Sequence, residues 1–120
     1  MTVLAITGEQ FESLLSTAEI LFIDFWAQWC APCKQFSSVY ERVAQSFPQI
    51  VFGKVNIEQE IDLANVFEIR SIPHIMVFKK GIAIYSESGS MPESILRELA
   101  QQALDADVSD LLKQLDDDTD

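Results

Sequence analysis

Residues 20–33 read Ile-Leu-Phe-Ile-Asp-Phe-Trp-Ala-Gln-Trp-Cys-Ala-Pro-Cys, and they carry the strongest structural signal in the chain. The first six form an apolar run broken only by Asp24, which is typical of a strand buried on both faces. A short loop follows. A helix is predicted to begin near Cys33, because apolar residues then recur at helical spacing until Pro48. We therefore expect Cys30 and Cys33 at the junction between a buried strand and a helix.

The cysteine pair has the spacing C-x-x-C, which in a short chain indicates redox or metal chemistry. A thiolate is the nucleophile in disulfide exchange, and a helix N-terminus lowers a thiol pKa because its free N–H groups favour an anion. Pro32 fits the first helical turn, where a missing N–H has no cost. We expect Cys30 to face solvent and attack, and Cys33 to be shielded and resolve the mixed disulfide. An inert buried pair and a zinc site are the alternatives. Zinc is disfavoured because it usually takes four ligands and the chain has two Cys and one His.

The rest of the chain alternates helical and strand patterns without a linker or an internal repeat. A capping box of Thr7 and Gln10 predicts a first helix. Further elements are predicted as strands at 50–55, 75–78 and 82–85, a helix at 58–68 and a last helix from Pro92. The expected order is α-β-α-β-α-β-β-α. Helical crossovers require parallel pairing and the late hairpin requires antiparallel pairing, so we predict an α/β fold with a mixed sheet covered by helices on both faces.

Length and composition define the class of protein. The 120 residues suit one domain, and 48% of them are hydrophobic, so a packed core is expected. The formal net charge of −11 disfavours nucleic-acid binding, which needs Lys and Arg against phosphates. The first residues lack the pattern of a targeting signal, and no apolar stretch is long enough to span a membrane. The cytoplasm is the expected compartment.

Several separate motifs together resemble the thioredoxin family. Residues 25–34, Phe-Trp-Ala-Gln-Trp-Cys-Ala-Pro-Cys-Lys, are similar to its active-site signature. Residues 69–73, Ile-Arg-Ser-Ile-Pro, resemble the segment that carries the family's cis-proline, and residues 78–81 resemble its hairpin. The resemblance covers about residues 3–104 and implies the thioredoxin fold. It departs from the family at Ala31, where glycine is usual, and at His74, where threonine is frequent.

The resemblance implies roles for particular residues. Asp24 would lie behind Cys33 and help to move its proton through water, with Lys54 as its charge partner. Pro73 would be cis and pack against the cysteines, while the backbone of Ile72 would pair with an extended substrate segment. The substrate-binding surface would comprise Trp29, Ala31, Pro32, Ile72, Pro73 and Gly89. His74 is interpreted either as a polar surface residue or as a group that tunes Cys30 from across the site.

The implied function is the reduction of disulfides in other proteins. A flavin- and NADPH-dependent thioredoxin reductase would recharge the oxidised protein, and neither a cofactor nor a metal is expected to remain bound to this chain. Two alternatives remain open: a thiol oxidase or isomerase that uses the same chemistry in reverse, and a binding or chaperone module built on the same fold. The intact cysteine pair disfavours a pure binding module, since such a module would not need it.

The C-terminus extends past the family's usual last helix. We divide the chain into a thioredoxin domain, residues 1–104, and a C-terminal extension, residues 105–120, that is helical and then acidic. Apolar residues keep helical spacing at Leu104, Val108, Leu111, Leu112 and Leu115. Asp107 with Asp110 predicts a cap for a new helix, although one continuous helix from Pro92 is the alternative. The apolar face of this segment can pack on the parent domain, on a second copy or on another protein; we expect a contact with another chain, and we expect residues 116–118 and 120 to be solvated.

Overall fold

A computed structural model describes residues 2–118 of the chain. In order the elements are β1 (Val3–Ala5), α1 (Gly8–Thr17), β2 (Ile20–Trp26), α2 (Ala31–Ser46), β3 (Val51–Asn56), α3 (Ile61–Val66), β4 (His74–Lys79), β5 (Ile82–Ser88), α4 (Glu93–Asp105) and α5 (Ser109–Asp118). From α1 to α4 this is the predicted order. The predicted capping box is present, because Thr7 and Gln10 each bind the other's backbone N–H through their side chains.

β1 and α3 differ from the sequence-based expectation. β1 was not predicted, because three residues are too short to show a strand pattern. α3 is shorter than residues 58–68 at both ends. At its start the side chain of Asn56 accepts the N–H of Glu58 at 2.9 Å, which holds the preceding residues in a turn. At its end Glu68 takes a positive φ of 53°, which a helix does not continue through.

The five strands form one mixed sheet in the order β1-β3-β2-β4-β5. β3 pairs parallel with both β1 and β2, and β4 pairs antiparallel with both β2 and β5. β2 is therefore central, which explains why residues 20–25 are apolar on both faces. The register places Asp24 between Lys54 on β3 and Ile75 on β4.

Helices cover both faces of the sheet, as expected from the sequence. On one face α2 and α4 enclose a core that includes Phe22, Phe36, Tyr40, Phe52 and Leu96. On the other face α1 and α3 enclose a core that includes Phe11, Phe25, Val55, Met76 and Phe78. Gly53 on β3 lies against Ile6, and a Cβ atom at this position would overlap the Ile6 side chain. None of the helices within residues 2–118 is both long enough and apolar enough to cross a membrane.

The C-terminal segment forms a new helix rather than a continuation of α4. The chain leaves α4 after Asp105, and α5 begins at Ser109, whose N–H and hydroxyl both donate to the carboxylate of Asp107 at 2.9 and 2.6 Å. Val108 is only 3% exposed, so this residue packs on its own chain, while the expected contact of the segment with another chain stays a prediction. Leu111 remains 46% exposed. The expectations for Leu115 and for the acidic residues at 116–118 and 120 concern side chains outside the part of the chain whose side chains are described.

A buried lysine holds this turn in place. The Nζ atom of Lys79, at the end of β4, donates to the carbonyl oxygens of Ala103, Leu104 and Ala106 over 2.5 to 2.9 Å. These carbonyls belong to the last turn of α4 and to its C-cap residue, where helical hydrogen bonds run out. The cation also complements the negative end of the helix dipole. Sequence analysis did not identify this role, because the acceptors lie more than 20 residues away along the chain.

Candidate active site

Cys30 and Cys33 lie at the junction between β2 and α2. Cys30 is the N-cap of α2, and Pro32 occupies the first helical turn. The helix begins at Ala31, two residues before the predicted start. The cysteines form a disulfide, and their Cα atoms are 5.3 Å apart. Ala31 and Pro32 between them are exposed.

The sulfur of Cys30 occupies the position of a capping group. The backbone N–H of Cys33 points at Cys30 Sγ over 3.2 Å, and the N–H of Lys34 donates to the Cys30 carbonyl oxygen at the same distance. A side-chain atom at an N-cap lies next to N–H groups that have no helical partner, and to the positive end of the helix dipole. A negative charge on Cys30 Sγ is therefore stabilised by the fold itself.

Both cysteines are buried in the disulfide form. Cys30 is 4% exposed and Cys33 is 2% exposed, so the expectation that Cys30 faces solvent is wrong for this state. The carbonyl oxygen of Ile72 lies 3.8 Å from Cys30 Sγ and covers one side of it. Trp29 is the residue that projects instead, with 67% of its surface exposed. It forms an apolar surface next to the disulfide.

A second loop brings three of the predicted residues together. The Ile72–Pro73 peptide bond is cis, and the carbonyl of Pro73 accepts the N–H of Gly89 at 2.7 Å. Gly89 has a φ of 110°, a conformation that a residue with a Cβ atom rarely adopts. Through this bond the end of β5 is attached to the loop that carries Ile72 and Pro73. This loop reaches the disulfide through the Ile72 carbonyl, 3.8 Å from Cys30 Sγ.

Asp24 is a buried acid on the face covered by α2. It is 4% exposed, and its Oδ1 atom has no hydrogen-bond partner among the described residues. Burial raises the pKa of Asp24 to about 8, while the positive charge of Lys54 acts in the opposite direction. Asp24 is the strand partner of Lys54, but the ion pairs within residues 2–118 join Arg42 and Arg97 to Glu93. The described residues therefore do not form the expected ion pair between Lys54 and Asp24. Lys54 affects Asp24 only through its positive charge on the neighbouring strand.

Two contacts made by residues around Asp24 were not predicted from the sequence. The ammonium group of Lys54 lies 5.2 Å from the centroid of the Trp26 ring, a cation–π arrangement. Tyr40 is buried in α2 and donates its hydroxyl to the Gly53 carbonyl at 2.8 Å. Burial, and then the charge of Asp24, raise the pKa of Tyr40 above its usual value. The helical spacing of Tyr40 predicted its place in the core, but it gave no sign of a nearby carboxylate.

His74 follows the cis-proline and lies on the other face of the sheet from Asp24. Its Nε2 atom is 2.8 Å from the Ser86 hydroxyl, and its ring stands edge-on to Phe25 with the centroids 6.2 Å apart. Burial lowers the pKa of His74, and the charge of Glu87 opposes this effect. Its nearest described polar partner is therefore on β5 rather than at the cysteines. Within residues 2–118 no group of three or more His, Cys, Asp or Glu side chains is placed to hold a metal ion.

A disulfide at the start of a helix, next to a cis-proline loop and directly after a strand that carries a buried carboxyl group, defines the active site of a thiol–disulfide oxidoreductase. A family model described as Thioredoxin matches residues 2–102, and the chain belongs to that family. A Streptomyces coelicolor protein that carries the name thioredoxin 2 is 41% identical, over 90% of this chain and 81% of its own.

Solved structures agree with this assignment. Chloroplastic thioredoxin z superposes with a TM-score of 0.80 at 28% identity, covering 88% of this chain and 97% of that one. Oxidised thioredoxin of Plasmodium falciparum superposes with a TM-score of 0.75 at 29% identity, covering 83% and 96%. The fold class, the family and the protein-disulfide reductase function expected from the sequence are confirmed.

Proposed function

We propose that this thioredoxin-family protein transfers two electrons from the Cys30 and Cys33 thiols to disulfides in other proteins, with Cys30 as the attacking residue. The observation that carries this assignment is the position of Cys30 Sγ at the α2 N-cap, facing the N–H of Cys33. Cys33 lies inside the first turn of the helix and is slightly more buried. The sulfur at the cap is the one whose thiolate the helix stabilises.

The exchange proceeds in two balanced steps. The Cys30 thiolate attacks one sulfur of the target disulfide, a Cys30–target bond forms, and the second target sulfur leaves as a thiolate. Cys33 then loses its proton and attacks Cys30 Sγ. The Cys30–Cys33 disulfide forms, and the first target sulfur leaves. The target is reduced by two electrons and the cysteine pair is oxidised by two.

Asp24 is the proposed acceptor for the Cys33 proton. A general base works best when its pKa is near the working pH, and the pKa of about 8 meets this condition. Lys54, as strand partner, keeps the pKa of Asp24 from rising further. The proton is proposed to travel through water, as the family resemblance implies.

Target binding is proposed at the exposed residues around the disulfide. An extended target segment would pair with the backbone of Ile72 beside Pro73, and main-chain pairing of this kind gives affinity without strict sequence choice. The proposed contact surface consists of Trp29, Ala31, Pro32, Ile72, Pro73 and Gly89. Recharging is proposed through a flavin- and NADPH-dependent thioredoxin reductase. The reducing direction suits the cytoplasm, where thiols are kept reduced.

Alkylation of the reduced protein tests the roles of the two cysteines. Cys30 is expected to react first with iodoacetamide, with a pKa below the ordinary value of about 8.5. Cys33→Ser is expected to accumulate mixed disulfides with oxidised insulin, whereas Cys30→Ser forms none. Faster alkylation of Cys33 than of Cys30 in the native protein would contradict the assignment.

A further inference from the structure

A partly apolar groove extends from the active site along α4. Its first part, about 320 Å³, lies between the start of α2 and the loop before α4, and its lining includes Pro32, Phe36, Val39 and Met91. Its second part, about 190 Å³, lies between β5 and α4 and is lined by Tyr85, Met91, Ile95, Glu98, Leu99 and Gln102. Met91 belongs to both parts. We call the combined depression the Met91 groove.

The groove combines half-buried apolar side chains that pack partly against the core, including Met91 and Leu99, with one that the core does not use. α4 directs Leu96, Ala100 and Ala103 into the core, where they are buried. Ile95 lies beside this stripe and is 48% exposed, so about half of its apolar side chain is open to a bound molecule. Leu99, one turn further, lines the same part of the groove as Ile95. The second part of the groove therefore presents the side chains of Ile95 and Leu99 to a bound molecule.

Ion pairs and a backbone hydrogen bond connect the elements that line the groove. Glu93 at the start of α4 accepts from Arg42 of α2 at 2.7 Å and from Arg97 of α4 at 3.0 Å, which links the two helices that form its walls. The loop that enters it is attached at Gly89, whose N–H donates to the Pro73 carbonyl. A preformed site avoids part of the ordering cost of binding.

The groove is continuous with the catalytic site. Pro32 lies between the two cysteines and also lines the first part of the groove. Members of this protein's class react with disulfides that are part of a folded or unfolded polypeptide. While Cys30 is joined to a target, the chain on one side of the target cysteine must pass over neighbouring surface. Towards α4 that surface is the Met91 groove.

We propose that the Met91 groove binds the target segment that flanks the cysteine attacked by Cys30, and that it selects segments with an apolar side chain. Met91 and Ile95 contact that side chain. Glu98, a carboxylate in the lining of the second part, favours a basic neighbour over an acidic one. This role rests on the proposed attack by Cys30. The Met91 groove would then help to determine which targets are reduced, in addition to the residues that surround the disulfide.

Rates with matched peptides test the selection. Three symmetric disulfides are prepared from short synthetic peptides with one cysteine, flanked by leucine and lysine, by serine and lysine, or by leucine and glutamate. The prereduced protein is expected to reduce the leucine–lysine peptide about tenfold faster than the serine–lysine peptide, the size of a small difference in apolar contact. Ile95→Gln should reduce this preference at least threefold. Ile61→Gln is the matched control, because Ile61 is similarly exposed but belongs to α3 on the other face of the sheet.

The glutamate peptide tests the charge at Glu98. It should react more slowly than its lysine counterpart, and Glu98→Gln should remove the difference. If Ile95→Gln leaves the leucine preference at the wild-type value, the groove does not select targets. If the protein reduces none of the peptides, the proposed attack by Cys30 fails and the groove proposal fails with it.

A structural readout separates these outcomes without relying on rates. Cys33→Ser protein with labelled isoleucine and methionine methyl groups is joined to the leucine–lysine peptide through Cys30. The Met91 and Ile95 methyl signals are expected to shift, while the Ile61 signal stays in place. A mixed disulfide that forms while the Met91 and Ile95 signals remain unchanged would contradict the groove proposal and leave the Cys30 assignment intact.

Discussion

Lys54 stands opposite Asp24 in the parallel register of β2 and β3, but its ammonium group lies over the Trp26 ring, 5.2 Å from the centroid. The carboxyl group of Asp24 is left buried, and its pKa is about 8. Asp24 is thus mostly protonated at neutral pH, and it becomes a base only at the upper end of the physiological range. Stability and catalysis should both respond to this titration.

The pH dependence of stability should show Asp24 directly. An unfolded Asp titrates near pH 4, whereas Asp24 in the folded protein titrates near 8. Between these values the folded state holds a proton that the unfolded state has released, so the contribution of Asp24 to the free energy of unfolding falls as pH rises, by about 1.4 kcal/mol per unit. The Asp24→Asn variant has no carboxyl group to titrate at this position, so its free energy of unfolding does not fall for this reason as pH rises. Its stability relative to the wild type should grow between about pH 4 and about pH 8 and then level off.

Urea unfolding of the oxidised proteins across this range is the measurement. A constant difference between Asp24→Asn and the wild type at every pH would show that Asp24 is not a buried neutral acid.

Catalysis should respond to the same substitution in the opposite direction. Asp24→Asn removes the proposed acceptor for the Cys33 proton, and positioned proton transfer contributes about 10²- to 10⁴-fold in enzymes generally. We expect the attack of Cys33 on Cys30 Sγ, which releases the first target sulfur, to slow by about tenfold or more at neutral pH. In the wild type this step should accelerate as pH rises through about 8. Single-turnover reduction of insulin measures it, and full activity of Asp24→Asn at neutral pH would exclude the proton-transfer role.

Lys79 should stabilise the end of α4. Lys79→Met keeps most of the apolar stem but removes three charge-assisted hydrogen bonds to buried or partly buried carbonyls. A loss of about 2–5 kcal/mol in the free energy of unfolding is expected. Lys80→Met is the control, because Lys80 is the next residue and is exposed. Equal stability of the two variants would contradict the capping role.

Truncation tests how the extension is held. Removal of all residues after Leu104 deletes the Ala106 carbonyl and buried Val108, and a buried valine is worth about 1.5–3 kcal/mol. We expect a melting temperature several degrees lower, with insulin reduction retained. A chain that ends at Leu112 keeps both features and should melt close to the full-length protein. Self-association remains a prediction that rests on exposed Leu111, and a smaller assembly of the shorter chain by light scattering would support it.

The β2–α2 junction was predictable from the sequence because its signals are local. An apolar run of six residues, two cysteines and Pro32 all lie within one stretch, and each follows from short-range physics. The features that were missed depend on contacts between distant parts of the chain. Cys30 is covered by the Ile72 carbonyl, 42 residues away, and Lys79 reaches carbonyls 24 to 27 residues away. Such contacts depend on loop paths and strand register, which no local pattern contains.

The reduction potential of the Cys30–Cys33 pair tests the central claim most directly. Ala31-Pro32 keeps the proline of the family's usual dipeptide and adds only a methyl group, so the pair should favour the oxidised form and donate electrons. Equilibration with defined glutathione mixtures, read by alkylation and mass spectrometry, gives the midpoint. We predict a value at or below the cytosolic range of about −220 to −260 mV. A midpoint near about −120 mV, typical of a strong thiol oxidant, would contradict the account and favour an oxidase.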